Sequence, residues 1–457
     1  MAVKGILEAI ARFIEKEHIL SCKEDLICYS SDATYHNAMP DVVVIPEEKR
    51  EIIQVLRFAN SERIPVTPRG AGTGLSGGAL PVRGGIVLAT TRLNRIIDID
   101  ESNLYAVVEP GVITASLHSE VEQRGLFYPP DPSSLRVCTI GGNLGHSAGG
   151  PRGLKYGITR NYVMGLEVVL PQGKIINTGA RTVKSVSGYD LTRLMTGSEG
   201  TLGVITKALL RLIPKPEASM TFMAFFDSIS LAADAVVGII KKGILPTSLE
   251  FMDGTTIKAI IQYKSIELPE DADAALLIEV DGFESEVKRQ AALLMDVLHG
   301  SGARGIHSAK DKTEMEDMWN ARRMALPALS RIRPSTILED ATVPRHQVPI
   351  MVRAIQGLSI KYDIPIGIFG HAGDGNLHPT ILTDVHDKDE MEKVDKVIEE
   401  IFEIALSLGG TLTGEHGIGV SKARFLKKEI GEEGIRLMRA IRNIFDPNGI
   451  MNPGKIC

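Results

Sequence analysis

From Pro68 to Gly85 the chain reads Pro-Arg-Gly-Ala-Gly-Thr-Gly-Leu-Ser-Gly-Gly-Ala-Leu-Pro-Val-Arg-Gly-Gly. No regular helix crosses a stretch so rich in glycine with a proline inside it. Gly72 to Gly77 nevertheless satisfies G-x-G-x-x-G literally. A nicotinamide-dinucleotide unit of that signature requires a helix opening at the loop and an acidic residue about 20 positions on. Here the loop runs on through Gly78, Pro81, Gly84 and Gly85 into the apolar Ile86–Ala89. The pattern favours an anion-binding loop without a helix, whose backbone N–H groups converge on a pyrophosphate. Further glycine-rich turns follow at Thr139–Gly150 and Gly197–Gly203. Each alone is compatible with a tight turn; together they imply an extended dinucleotide.

The apolar pattern around these loops predicts an α+β domain reaching about Pro214. Short strands are expected at Val42–Pro46, Ile64–Pro68, Gly85–Ala89, Tyr105–Glu109 and Leu166–Leu170, with a helix over Glu47–Asn60. Met1 to Leu20 reads as an amphipathic helix, because Arg12, Glu15, Lys16, Glu17 and His18 break its apolar residues; a secretion signal or transit peptide is not expected. Pro214-Lys215-Pro216 is the sharpest boundary signal. Beyond it, strands at Thr221–Phe226 and Ala274–Val280 each precede an amphipathic helix, Leu231–Lys242 and Glu284–His299. That repetition predicts a second domain with a sheet covered on one face.

The second chemical signal is His371-Ala-Gly-Asp-Gly-Asn-Leu-His378, followed by Thr413-Gly-Glu-His-Gly-Ile-Gly419. Two imidazoles and a carboxylate suit a divalent metal such as Zn, Mn or Fe(II), with one position left open for substrate. A further imidazole remains for proton transfer. The alternative is that these histidines satisfy backbone groups in glycine-rich loops, which is the preferred reading for His18, His118, His299, His307, His346 and His386.

Bulk properties exclude several classes. A chain of 457 residues with 44% apolar and 24% charged content is globular and large enough for two or three domains. A net charge of −6 gives no basis for nucleic-acid binding. No apolar run approaches the roughly 20 residues of a membrane span. Cys22, Cys28, Cys138 and Cys457 are scattered without a CxxC pair, which fits reduced thiols and no iron–sulfur cluster.

Three stretches taken together carry a resemblance: Pro68–Gly74; Pro129-Pro130-Asp131-Pro132-Ser133-Ser134 with Thr139–Gly150; and Ser187-Gly188-Tyr189-Asp190-Leu191 with Gly197–Ile205. They resemble the FAD-binding domain of the vanillyl-alcohol oxidase (PCMH) type. The histidine segments resemble the C-terminal half of FAD-linked 2-hydroxy-acid dehydrogenases, a group that includes D-lactate dehydrogenase, the FAD subunit of glycolate oxidase and D-2-hydroxyglutarate dehydrogenase. The resemblance implies an FAD domain over 1–214 and a sheet-and-helix substrate (cap) domain over 215–457, with about 425–457 packing back on the FAD domain. It implies that Pro68 and residues 69–74 (Arg69, Gly70, Ala71, Gly72, Thr73, Gly74) wrap the FAD pyrophosphate together with residues 139–143 (Thr139, Gly141, Gly142, Asn143). Pro130, Asp131, Ser134, Ser147, Gly149 and Gly150 would line the flavin and ribityl chain. Glu199, Gly200, Val204 and Ile205 would contact the adenosine end or the flavin edge.

Thr73 stands where some relatives attach FAD through a histidine, so non-covalent FAD is implied; Cys138 reads as a plain buried thiol. The family pattern assigns His371, His378 and Glu415 to the metal, His416 as base and Asn376 near substrate. The Trp319-Asn-Ala-Arg322 segment resembles the family's W-x-x-R, making Arg322 the partner for a substrate carboxylate, with Arg345 a second candidate. Pairing of Arg322 or Arg323 with Glu314 or Glu316 on a solvated helix is the plain alternative. The implied activity is oxidation of a small D-2-hydroxy acid, D-lactate or glycolate, with hydride passing to flavin N5. Electrons would go on to an electron-transferring flavoprotein, an iron–sulfur subunit, a cytochrome or a quinone. A cytoplasmic location is implied, with peripheral association at the inner membrane face as a variant. Alternatives are a larger substrate such as D-2-hydroxyglutarate, or a non-catalytic electron-relay subunit. Alkyl-dihydroxyacetone-phosphate synthases resemble the FAD domain but lack the His371–His378 signature.

Overall fold

Between strand Val66–Arg69 and strand Ile86–Ala89 the chain turns repeatedly and forms no helix. The two strands pair in parallel, and Ile86–Ala89 pairs in parallel with Val42–Val44 on its other side. Parallel neighbours need a crossover. Helix Lys49–Glu62 carries the chain from Val42–Val44 to Val66–Arg69, the two strands that flank Ile86–Ala89, and the glycine-rich turns make the return. The helix is opened by a reciprocal Glu48–Glu51 capping box and buries Ile52, Val55, Leu56 and Ala59 at helical spacing. The computed structural model describes residues 3–264 and 268–457. It divides into two compact units: residues up to Gly149 with 158–215 and 415–457, and residues 150–157 with 216–414.

The first unit adds a five-stranded antiparallel sheet among the described residues, ordered Ile96–Asp100, Tyr105–Val108, Val204–Arg211, Val163–Val169 and Ile175–Gly179. Its C-terminal tail is stitched in by backbone bonds between Val66 and both Ile450 and Asn452. Ile450 and Met451 sit in the same core as Val42, Val44 and Ile86.

Two expectations fail here. The N-terminal helix runs only over Val3–Ile10, and Met1 and Ala2 lie outside the described residues. Ile19–Leu20 instead pairs as a strand with Val43–Val44, so tertiary pairing overrides the local amphipathic pattern. Thr139–Gly150 is not a simple loop, because Ile140–His146 is helical. Thr139 caps it by accepting the Gly142 N–H at 3.2 Å. Gly141 serves close approach to Pro110, where a Cβ would lie 2.6 Å from the proline.

The second unit is built on an antiparallel sheet of eight strands among the described residues. Its order is Gly305–Ser308, Ala218–Phe226, Ala274–Gly282, Ser248–Asp253, Ile366–His371, Asn376–Thr383 and Ser335–Leu338, with Ala341–Thr342 also pairing on Asn376–Thr383. Consecutive residues of Ser248–Asp253 and of Asn376–Thr383 are all buried. The sheet is therefore covered on both faces and not on one. On one face Met223, Phe225, Met252, Leu277, Phe369 and Leu382 pack with Ile257, Ile260, Ala321 and Leu329 from the helices Gly254–Lys264, Lys312–Arg323 and Ala325–Leu329. Each such large side chain contributes roughly 1.5–3 kcal/mol by burial.

Candidate active site

In the first unit the opening glycine loop is held by Arg69. Its buried guanidinium donates to the Ser31 carbonyl at 2.8 Å and the Ala79 carbonyl at 3.4 Å, and lies 5.6 Å from the Tyr29 ring centroid. Arg69 thus shapes the loop through carbonyl oxygens. Gly72 follows with φ of 73°, and a Cβ there would come within 2.1 Å of that guanidinium. Gly70 approaches the start of helix Ile140–His146 so closely that a Cβ would lie 2.3 Å from Thr139 Oγ1. Ala71 and Thr139 line one cavity of about 350 Å³, with Thr91, Asn94, Ile96, Gly111, Val112, Ile113 and Ser116. Apolar and small polar side chains line it together with the Gly111 backbone.

Other nominated residues have partners or packing within the protein. Asn143 is buried and donates to Thr114 Oγ1 at 2.8 Å, beside the buried Cys138 thiol. Ser147 Oγ accepts from Arg160 Nε at 3.1 Å. The Pro130 carbonyl bonds His118 Nε2 at 2.9 Å. Asp131 and Ser134 are half-buried, and Val204 lies in the apolar core. Gly150 opens the short segment that belongs to the second unit. There Lys155 and Tyr156 both reach the Asp281 carboxylate.

Glu199 has an unexpected role. Its backbone is left-handed at φ of 51°, and its two carboxylate oxygens accept the N–H groups of Ile418 and Gly419 at 2.7 and 2.8 Å. It therefore holds the turn that follows His416. His416 is buried, Glu415 is half-buried, and a Cβ on Gly149 would lie 2.6 Å from Glu415 Oε2. Lys455, fully buried, donates to the Leu80 carbonyl, and burial pushes its ammonium down to about 8.

In the second unit the hairpin Ile366–His371 and Asn376–Thr383 brings the paired histidines onto one face. Phe369 opposes His378 and His371 opposes Asn376, so the imidazoles are diagonal neighbours. Their ring centroids are 5.1 Å apart and perpendicular within a degree, at an interplanar angle of 89°. Both are buried. His371 Nδ1 bonds Glu250 Oε1 at 2.6 Å. A carboxylate only accepts, so that nitrogen carries the proton and Nε2 keeps its lone pair. Glu250 Oε2 pairs with Arg322 at 2.7 Å. Burial pushes the Glu250 carboxyl up, but His371 and Arg322 beside it outweigh burial and hold it below the usual carboxylate range.

Arg322 is buried and stacks at 4.7 Å on Phe369, while the exposed Arg323 pairs with Glu316. The plain alternative thus applies to Arg323 and not to Arg322. Arg345 is exposed on a short 3-10 turn. Trp319 anchors its helix through Nε1 to Glu279 at 2.7 Å. Thr342 Oγ1 donates to Asn376 Oδ1 at 3.1 Å. The buried Asp340 accepts from the Thr413 hydroxyl and the Gly414 N–H. Glu250 and Asp340 escaped the sequence reading. For Glu250 the available signal was an acidic residue inside a strand with apolar neighbours, since a carboxylate buried there demands partners.

Residues 40–179 match the FAD binding domain, and residues 215–456 match the C-terminal domain of FAD linked oxidases. The chain is 48% identical to the glycolate oxidase subunit GlcD of Bacillus subtilis (strain 168), covering 100% of this chain and 97% of the relative. It is 38% identical to the glycolate oxidase subunit GlcD of Escherichia coli (strain K12), covering 99% and 90%. It is 35% identical to the D-lactate dehydrogenase of Anaerostipes hadrus, covering 93% and 91%. Among solved structures, p-cresol methylhydroxylase with substrate bound superposes with a TM-score of 0.83 at 18% identity, covering 99% of this chain and 96% of that one. An alkyldihydroxyacetonephosphate synthase follows at 0.78 and 19%, covering 99% and 86%. The structural likenesses establish a PCMH-type fold. With the sequence relatives beside them, they place this chain in the FAD-linked 2-hydroxy-acid dehydrogenase family, as an FAD-dependent oxidoreductase.

Proposed function

We propose that this chain oxidises a small D-2-hydroxy acid, D-lactate or glycolate, to the 2-oxo acid. FAD would be held without a covalent bond, beside a divalent metal bound by His371, His378 and Glu415. The observation that carries the metal reading is the buried histidine pair, with His371 Nδ1 engaged by Glu250. Two imidazoles and one carboxylate form the donor set of an open catalytic site. Glu415 follows directly on Gly414, which Asp340 pins beside Asn376; a Cβ on Gly414 would lie 2.7 Å from Asn376 Nδ2. The match of residues 40–179 to the FAD binding domain supports FAD as the cofactor, and residues 69–74 and 139–143 would frame its pyrophosphate.

When bound, FAD supplies a two-electron oxidant and the metal a Lewis acid for the hydroxyl oxygen. His416 takes the hydroxyl proton on its imidazole. Arg322 orients the substrate carboxylate; its Nε has no hydrogen-bond partner among the described residues, so a donor remains. Asn376 steadies the substrate oxygen from the same strand as His378. The names of the GlcD and D-lactate dehydrogenase relatives support the substrate class. A separate acceptor, an electron-transferring flavoprotein, an iron–sulfur subunit or a quinone, then takes the electrons. Among the described residues no helix is long and apolar enough to cross a membrane. We place the chain in the cytoplasm or at the inner membrane face.

The test is anaerobic titration of the purified flavoprotein with D-lactate, L-lactate and glycolate, read by bleaching of the flavin band. Bleaching by D-lactate or glycolate, with L-lactate inert, is expected. Bleaching by none of them, with metal restored, refutes the substrate assignment.

A further inference from the structure

We propose that Glu250 is a positioning residue that fixes the tautomer and ring orientation of His371 for metal binding, with Arg322 as its counter-charge. The inference rests on the metal reading above. It concerns a carboxylate that no sequence motif nominates.

Glu250 stands in the middle of strand Ser248–Asp253, where every residue is buried and its own exposure is zero. Phe251 opposes Gly370 in the neighbouring strand, so one residue earlier Glu250 comes beside His371. An unpaired carboxylate is not tolerated there. Both of its oxygens are engaged, Oε1 with His371 Nδ1 at 2.6 Å and Oε2 with Arg322 at 2.7 Å. Arg322 is itself fixed from the other side by the Phe369 ring, at 4.7 Å, and Phe369 is the cross-strand partner of His378. The chain Arg322–Glu250–His371 is thus closed by packing at both ends and lies wholly within one unit.

Its chemical consequence concerns a single nitrogen. With the Nδ1 proton given to Glu250, only Nε2 of His371 can donate a lone pair, and the ring cannot flip without breaking that bond. A buried ion pair retained for stability alone would place no such demand on the imidazole. The two roles differ in what they predict for metal affinity in a folded protein.

The experiment compares wild type, Glu250→Gln and Arg322→Met as purified flavoproteins, matched for FAD content. Zn²⁺ and Mn²⁺ affinities are measured by competition with a chromophoric chelator. Wild type is expected to bind one ion, and both variants to bind 10- to 100-fold more weakly, although neither loses a ligand. Unchanged affinity in Glu250→Gln overturns the proposal. No ion bound by wild type overturns the metal reading and the proposal with it, and the two failures are distinguishable. Should the variants not fold, wild type with ¹⁵N-labelled histidine decides. The His371 signals, assigned by His371→Gln, must show a proton on Nδ1; a proton on Nε2 refutes the role.

Discussion

Asp253 allows the burial argument to be tested in energy. It ends the strand that carries Glu250, is 2% exposed, and caps the next helix by accepting the Thr256 N–H at 2.9 Å. Burial pushes its carboxyl from 3.8 up to about 6, against the pull of the Thr256 bonds. A carboxyl raised on folding contributes stability that is fully present below its unfolded value near 4 and lost as pH rises through about 6. At pH 8 the ionised group costs about 3 kcal/mol, taking 1.36 kcal/mol for each of roughly two pH units. Asp253→Asn keeps the capping oxygen and removes the charge. Its thermal unfolding temperature should exceed wild type by several degrees at pH 8. The gain should shrink steadily toward pH 4. Scanning calorimetry at pH 5, 6, 7 and 8, with saturating FAD to hold ligand linkage constant, measures it. A gain that does not vary with pH, or a loss at pH 8, refutes the reasoning.

His416→Ala should slow anaerobic flavin reduction by roughly 100-fold or more while leaving FAD content unchanged, as stopped-flow spectroscopy will show. Gly70→Ala should purify with little flavin, because its methyl group would lie 2.3 Å from Thr139 Oγ1; the ratio of visible to ultraviolet absorbance reports it. Arg322→Lys loses the planar fork and should raise KM for the hydroxy acid by about tenfold or more in steady-state assays. Lys455, lowered to about 8 by burial, costs stability while charged, so wild type should gain stability from pH 8 toward 10 and Lys455→Met should not; denaturant titrations across that range decide.

Much of this was legible in the linear sequence because certain residues permit few conformations. The glycine run from Gly70 to Gly85 barred a helix, and the structure has none there. Strands such as Ile86–Ala89 and Ala274–Gly282 announced themselves as short apolar runs bounded by turn residues. The spacing of His371 and His378 around Gly-Asp-Gly becomes a hairpin that brings the rings to 5.1 Å. Elsewhere local pattern misled. The amphipathic character of the N-terminus stopped helping after Ile10, where strand pairing with Val43–Val44 took over. Glycines at 141, 142 and 145 read as a loop, yet Thr139 capping and contact with Pro110 make a helix of them.

The glycine-rich stretches and the two histidine segments carried the resemblance that identified the family, since each motif is made of residues close together in the chain. What each side chain does was decided by partners far away in sequence. Glu199, nominated for the cofactor, holds Ile418 and Gly419, 219 and 220 residues later. Arg69, nominated with residues 69–74 for the pyrophosphate loop, grips backbone carbonyls of Ser31 and Ala79. Glu250, silent in the sequence, meets His371 across 121 residues. Periodicity and motif describe neighbours along the chain, whereas a buried charge is defined by the groups that neutralise it, and only folding brings those together.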